Sequence, residues 1–89
     1  MSLQAAADAL DALAVGQEPK RGDVISGALA LQTLVHRGQA DRNVMDAASG
    51  LEAAACGRPL NLDAIGRSRA AVLASHVRDL AAAHDRDPS

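Results

Sequence analysis

No phenylalanine, tyrosine or tryptophan occurs in the 89 residues, and there is one cysteine. The missing aromatics remove the bulkiest core material. Alanine accounts for 21 residues, so Leu, Val, Ile and Met supply nearly all the large apolar side chains, in a chain whose size makes a single core only marginally sufficient. The lone cysteine excludes an intrachain disulfide. No uninterrupted apolar run approaches the roughly 18 residues of a membrane span. The opening MSLQAAADALDALAVG carries acids where a secretory signal would be apolar after basic residues, so a cytoplasmic location is the expectation. An excess of positive charge is lacking too. The net charge is −2 and the pI about 5.8, which gives no electrostatic footprint for nucleic acid or an anionic membrane.

Catalytic and metal chemistry are equally short of material. There is no glycine-rich phosphate loop, no nucleophile elbow, no tyrosine and only two glutamates, so neither enzymatic activity nor a cofactor is expected. His76 and His84 are eight residues apart, about 12 Å along a helix, too far to share an ion. H-x-x-x-H, E-x-x-H and C-x-x-C pairs are absent. Cys56 falls near a helix C-terminus, where the dipole disfavours a thiolate, and reads as a small buried hydrophobe. The triplet RGD at 21–23 reads as loop, glycine and helix cap.

What the sequence does contain is helical periodicity. Four segments space their apolar residues at 3.6 and are separated by Gly and Pro, and none alternates with period two. The fold class is therefore all-α, a compact antiparallel bundle of four helices at about 2–15, 24–37, 42–56 and 62–84, in a single domain over 1–89 with 85–89 as a frayed tail. Ser2 caps the first helix, which carries Leu3, Leu10, Leu13 and Ala14 on a narrow stripe. Asp23 caps the second, whose apolar face is centred on Val24, Ala28, Leu31 and Val35. Ile25, Leu29 and Leu34 widen it past half the circumference, which marks this helix as central. Gly38 ends it and Asp41 caps the third, with Val44, Ala47, Ala48, Leu51 and Ala55 inward. For the fourth, Asn61 is the cap, Leu60 and Ile65 the staple, and Leu62, Leu73 and Leu80 the central line, flanked by Ile65, Val72 and Val77. Gly27, Gly50 and Gly66 fall inside helices, where close crossing or simple tolerance accounts for them. No internal repeat is evident, and the dominance of Arg over Lys, eight to one, with so much alanine suggests a GC-rich bacterial or phage genome.

The segment HRGQADRN at 36–43 has the look of a helix-turn-helix corner, which would make the third helix the DNA reader. Over residues 41–56, Asp41, Asp46 and Glu52 stand against Arg42, a net of −2, so that helix would meet a polyanion with repulsion. The remaining nucleic-acid route is Arg58, Arg67 and Arg69 around the start of the fourth helix, which could hold phosphate or form a solvated face.

Some polar residues do not match their faces. Arg69 and His76 fall among the leucines of the fourth helix. Either they snorkel at the bundle edge, or Arg69 meets an acid of a partner. Gln32 lies between Ile25, Ala28 and Val35, with His36 one turn on, where a polar side chain can fix register in an oligomer or sit at a rim. Should the two helices pack face to face, Gln32, His36, Arg69 and His76 would form one cluster. With so few bulky side chains, burial between subunits is the most accessible extra stabilisation. The functional expectation is a protein–protein interaction module: a homodimer that also docks another protein, as a regulatory adaptor, antagonist or chaperone. Its candidate interface residues are Gln32, His36, Arg69, His76, Leu73 and Leu80. The alternatives are a DNA-associated regulator using the three arginines and an accessory subunit of an enzyme.

Overall fold

Ser2 opens the first helix as expected: its Oγ accepts a hydrogen bond from the Ala5 N–H at 3.1 Å, and α1 runs Leu3–Ala14. The computed structural model describes residues 2–56 and 66–86, except the side chains of Asp85 and Arg86. Three more helices follow among them, α2 (Arg21–His36), α3 (Arg42–Ala55) and α4 (Arg67–Arg86). Asp41 caps α3 through Oδ1, which accepts from the Val44 N–H at 2.9 Å. The ends of α1 and α2 are built alike. Gly16 and Gly38 take positive φ of 75° and 69°, their N–H groups bond back to Leu13 and Val35, and those of Gln17 and Gln39 to Ala12 and Leu34. These are Schellman closures, and only glycine adopts that backbone without strain.

The chain folds into an antiparallel bundle in which α1 packs against all three other helices, α2 also against α3, and α3 more lightly against α4. Ala6, Ala7 and Ala9 of α1 are fully buried with Leu10. Opposite Ala6 lies Gly27 of α2, and a methyl group added there would stand 2.5 Å from the Ala6 Cα and 2.7 Å from its nitrogen. This is backbone against backbone. Leu31, Val44, Leu51, Leu73 and Val77 fill the space around this crossing, and no polar or charged residue among those described is buried.

Several expectations are corrected, and the packing of small residues accounts for those that concern helix faces. The central helix is α1, not α2, because alanine lets neighbouring backbones approach where a wide stripe of bulky residues cannot. On α2, Val24, Ala28, Leu31 and Leu34 are buried as expected, but the buried face also takes in Gly27 and Ala30, so it is rotated toward the small residues and away from Ile25 and Leu29, which stay exposed, as does Val35 near the helix end. On α4, Ala70, Ala74 and Ala81 share the core with Leu73 and Val77, while Val72 is 53% exposed. The N-cap of α2 is Lys20, and Asp23 stands in the first turn, where its charge suits the dipole. Cys56 is exposed because it continues the outward line of Met45, Ser49 and Glu52, four, three and four residues apart. Gly50 is buried on α3. Gly66 is not helical but left-handed, at φ 71°, and α4 starts after it. The expected start of the fourth helix, with Leu60, Asn61, Leu62 and Ile65, lies outside the described residues, as do 87–89 of the tail.

Two glycines therefore predict opposite outcomes. Gly27→Ala should destabilise the fold by about 1–3 kcal/mol, since overpacking at the Ala6 backbone outweighs the better helix propensity. Gly22→Ala, in the exposed first turn of α2 with nothing within 4 Å of the new methyl, should stabilise it by about 0.4–1 kcal/mol. Urea denaturation of the two variants checks both signs.

Candidate functional site

Two polar seams and one apolar groove are the features from which a site can be built. The first seam joins α3 to α4. Arg69 donates through Nη2 to Asn43 Oδ1 at 2.7 Å and to Asp46 Oδ2 at 2.9 Å, so the acid that meets Arg69 belongs to its own chain. One end of the seam is His76, whose Nε2 lies 3.0 Å from Asp41 Oδ2, close enough for an ion pair when the ring is protonated but not aligned as a hydrogen bond. The Asp41 carboxyl is held below the ordinary carboxylate range. The Val44 N–H contributes most, partial desolvation opposes it, and the nearby His76 adds to the lowering. The second seam is the Arg78–Asp11 pair between α4 and α1. Nothing in the residues near Arg78 signalled that pairing, since Asp11 is distant in sequence and only the antiparallel packing brings the two together.

The groove lies between α2 and α3. Gln32, Val35 and His36 line one wall, Met45, Ser49 and Glu52 the other, and Ala48 contributes between them, enclosing an open cleft of about 280 Å³. Its shoulder is apolar. Leu29 is 49% exposed and Met45 52%, and Ile25 and Val35 are also uncovered. At 100° per residue Ile25, Leu29, Gln32 and His36 form one continuous stripe along α2. Exposed apolar side chains grouped in this way mark an interaction surface more often than isolated ones do.

The expected site residues are thus divided. Gln32 and His36 share the α2–α3 groove. Arg69 and His76 engage Asn43, Asp46 and Asp41 of α3 from α4. The four do not form one cluster, because α3 packs against both α2 and α4 while those two have no substantial contact. Leu73 is buried in the core and Leu80 packs against it, which leaves neither as a free contact. The exposed Leu29 and Met45 went unremarked as site residues in the sequence, where a leucine on a wide apolar face reads as core. Of the arginines proposed for phosphate, Arg69 is bound to Asp46, Arg67 is exposed with its guanidinium against Gly16, and Arg58 lies outside the described residues.

A second cleft of about 340 Å³ opens where Leu3, Ala30, Leu34 and Ala81 meet below Arg37 and His84. No three His, Cys, Asp or Glu side chains among the described residues stand close enough to hold a metal ion, and none of the described helices is long and apolar enough to cross a membrane. No protein-family model, curated protein or solved structure matches the chain.

The lowered Asp41 carboxyl gives a pH prediction with a definite sign. A carboxyl that is more acidic folded than unfolded stabilises the fold above its unfolded value of 3.8, and that contribution is lost as the pH falls through the folded value. Asp41→Asn retains a capping oxygen and removes the titration. Its urea midpoint should vary less with pH than the wild-type midpoint below about pH 4.

Proposed function

We propose that the chain is a non-enzymatic protein–protein interaction module that works through the α2–α3 face, forming a homodimer by helix-to-helix packing. The observation that carries the reading is the exposure of Val35 and Met45 in the α2–α3 groove, with Ile25 and Leu29 also exposed farther along α2, in a protein with few large apolar side chains to spare. Each of these would contribute more covered than wetted, at about 25 cal/mol per Å² removed from water. Val35, Met45 and Ala48 share the groove with Gln32, His36, Ser49 and Glu52, a mixture of apolar and polar contacts of the kind that non-obligate interfaces carry. Once the face is engaged, the role is that of a small adaptor, antagonist or chaperone-like regulator that offers the assembled helices to another protein. We place this role in the cytoplasm of a bacterium or its phage, in keeping with the composition. Of the arginines named for phosphate, Arg69 is tied to Asp46 of its own chain, which weakens the nucleic-acid alternative at that residue.

Sedimentation equilibrium tests the reading. The wild-type chain should be a dimer at micromolar concentration. Leu29→Glu and Met45→Glu, each at a half-exposed position where the fold has little at stake, should raise the dimer dissociation constant by at least about thirtyfold, the effect of losing roughly 2 kcal/mol at an interface centre, with the helical circular dichroism unchanged. A wild-type monomer, or variants that dimerise as the wild type does, would overturn it.

A further inference from the structure

The cleft of about 340 Å³ at the other side of α2 combines an apolar floor with two uncommitted basic side chains. Along α2, Ala30, Leu34 and Arg37 follow one another at intervals of four and three residues, so one side of the helix carries two apolar groups and then, at its end, a guanidinium. On α4, Ala81 and His84 are three residues apart and repeat that order with an imidazole. Leu3, at the start of α1, completes the floor, because α1 runs antiparallel to both helices and packs against each. Since α2 and α4 make no substantial contact of their own, and Ala30 and Ala81 are small, a space is left between them.

The polar side chains around this floor differ in what they have left to offer. Ser2 Oγ accepts from the Ala5 N–H, Gln4 Nε2 donates to Asp8 Oδ1, and Thr33 Oγ1 donates to the Leu29 carbonyl. Among the described residues, Arg37 and His84 have no side-chain partner, and none of the residues lining the cleft is acidic. A guanidinium is a cation with donors only, and an imidazole has an N–H to donate in either protonation state. We propose that this cleft binds a small aliphatic monocarboxylate, its chain lying on Leu3, Ala30, Leu34 and Ala81 and its carboxylate taken by Arg37 and His84. An amine on the same chain would meet positive charge at the rim, and an anion without a chain would leave the floor wet. The volume lies at the small end of the range for ligand pockets, which suits a medium-chain acid over a long-chain lipid. None of these residues belongs to the α2–α3 groove, so the site is independent of the interaction reading.

Calorimetric titration of the full chain at neutral pH with octanoate, octylammonium and acetate is the test. Octanoate, kept below its micelle concentration, should bind as one molecule per chain with a dissociation constant below about 1 mM. Octylammonium and acetate should each bind at least about tenfold more weakly, the first for want of the charge and the second for want of the chain. Arg37→Gln and His84→Gln, both at exposed positions, should each weaken octanoate about fivefold to tenfold, with the helical circular dichroism unchanged. Amide chemical-shift changes on adding octanoate should centre on Leu3, Ala30, Leu34 and Ala81. No saturable octanoate binding, octylammonium bound as tightly as octanoate, or both variants as tight as the wild type would overturn the assignment. Shifts centred instead on Leu29 and Met45 would also overturn it, by showing that the alkyl chain only coats the exposed face of α2 and α3.

Discussion

The close approach of α1 to its neighbours, made possible by alanine and glycine, is the constraint on which the rest of the structure depends. At Ala6 and Gly27 there is no room for a side chain between two helices, and the fully buried Ala7 and Ala9 extend the same closeness along α1. Without aromatics, volume is a scarce resource, and a core with few bulky groups reaches native density only if its backbones come together. The large residues Leu10, Leu31, Leu51 and Leu73 then fill what remains. Had α1 carried leucine at positions 6, 7 and 9, the helices would stand farther apart and the same few leucines elsewhere would not close the gaps.

This constraint also separates what the sequence revealed from what it did not. Helix number, order and several ends are legible because they depend on local chemistry: Ser2 and Asp41 as caps, Gly16 and Gly38 as left-handed stops, periodic spacing between. The start of α2 is not, because Lys20 stands at its N-cap without a side-chain bond and no cap residue marks it. The rotation of each helix is less legible too. Weighting faces by large side chains centres α2 on Val24, Ala28, Leu31 and Val35, the first three of which are buried, but the packed face extends toward Gly27 and Ala30 and not toward Ile25 and Leu29. On α4 it set Val72 beside the core, whereas the core side is populated by Ala70, Ala74 and Ala81. In both helices the small residues face inward, because a hydrophobic scale rewards transfer free energy and gives no weight to how closely a backbone can approach. The candidate site suffered the same displacement. Gln32 and His36 were singled out as polar residues on an apolar face and do line the groove. Leu29 and Met45, which are half exposed, look like core residues until the rotation is known.

The charged residues complete the division of labour. Where α3 meets α4 the apolar contact is light, and the polar side chains Asn43, Asp46 and Arg69, with Asp41 and His76 nearby, span it instead. Half-exposed pairs of this kind contribute little each to stability, but they set the register of α4 against α3 through directional bonds that sliding would break. They also occupy the polar groups that would otherwise be free on that side. Among the described residues, the groove between α2 and α3 carries Gln32, His36, Ser49 and Glu52 beside Val35, Met45 and Ala48.

The exposed groove and the dense core then have one cause. A helix has a fixed circumference, and on α2 apolar residues cover more than half of it, so turning Gly27 and Ala30 inward turns Ile25 and Leu29 away. A monomer selected for independence would carry polar residues at those outward positions, since nothing in the core requires leucine or isoleucine there. Their presence opposes solubility, and covering them on another molecule removes that conflict. Under the proposed interaction role, the residues left uncovered on α2 are the ones that a second molecule would cover.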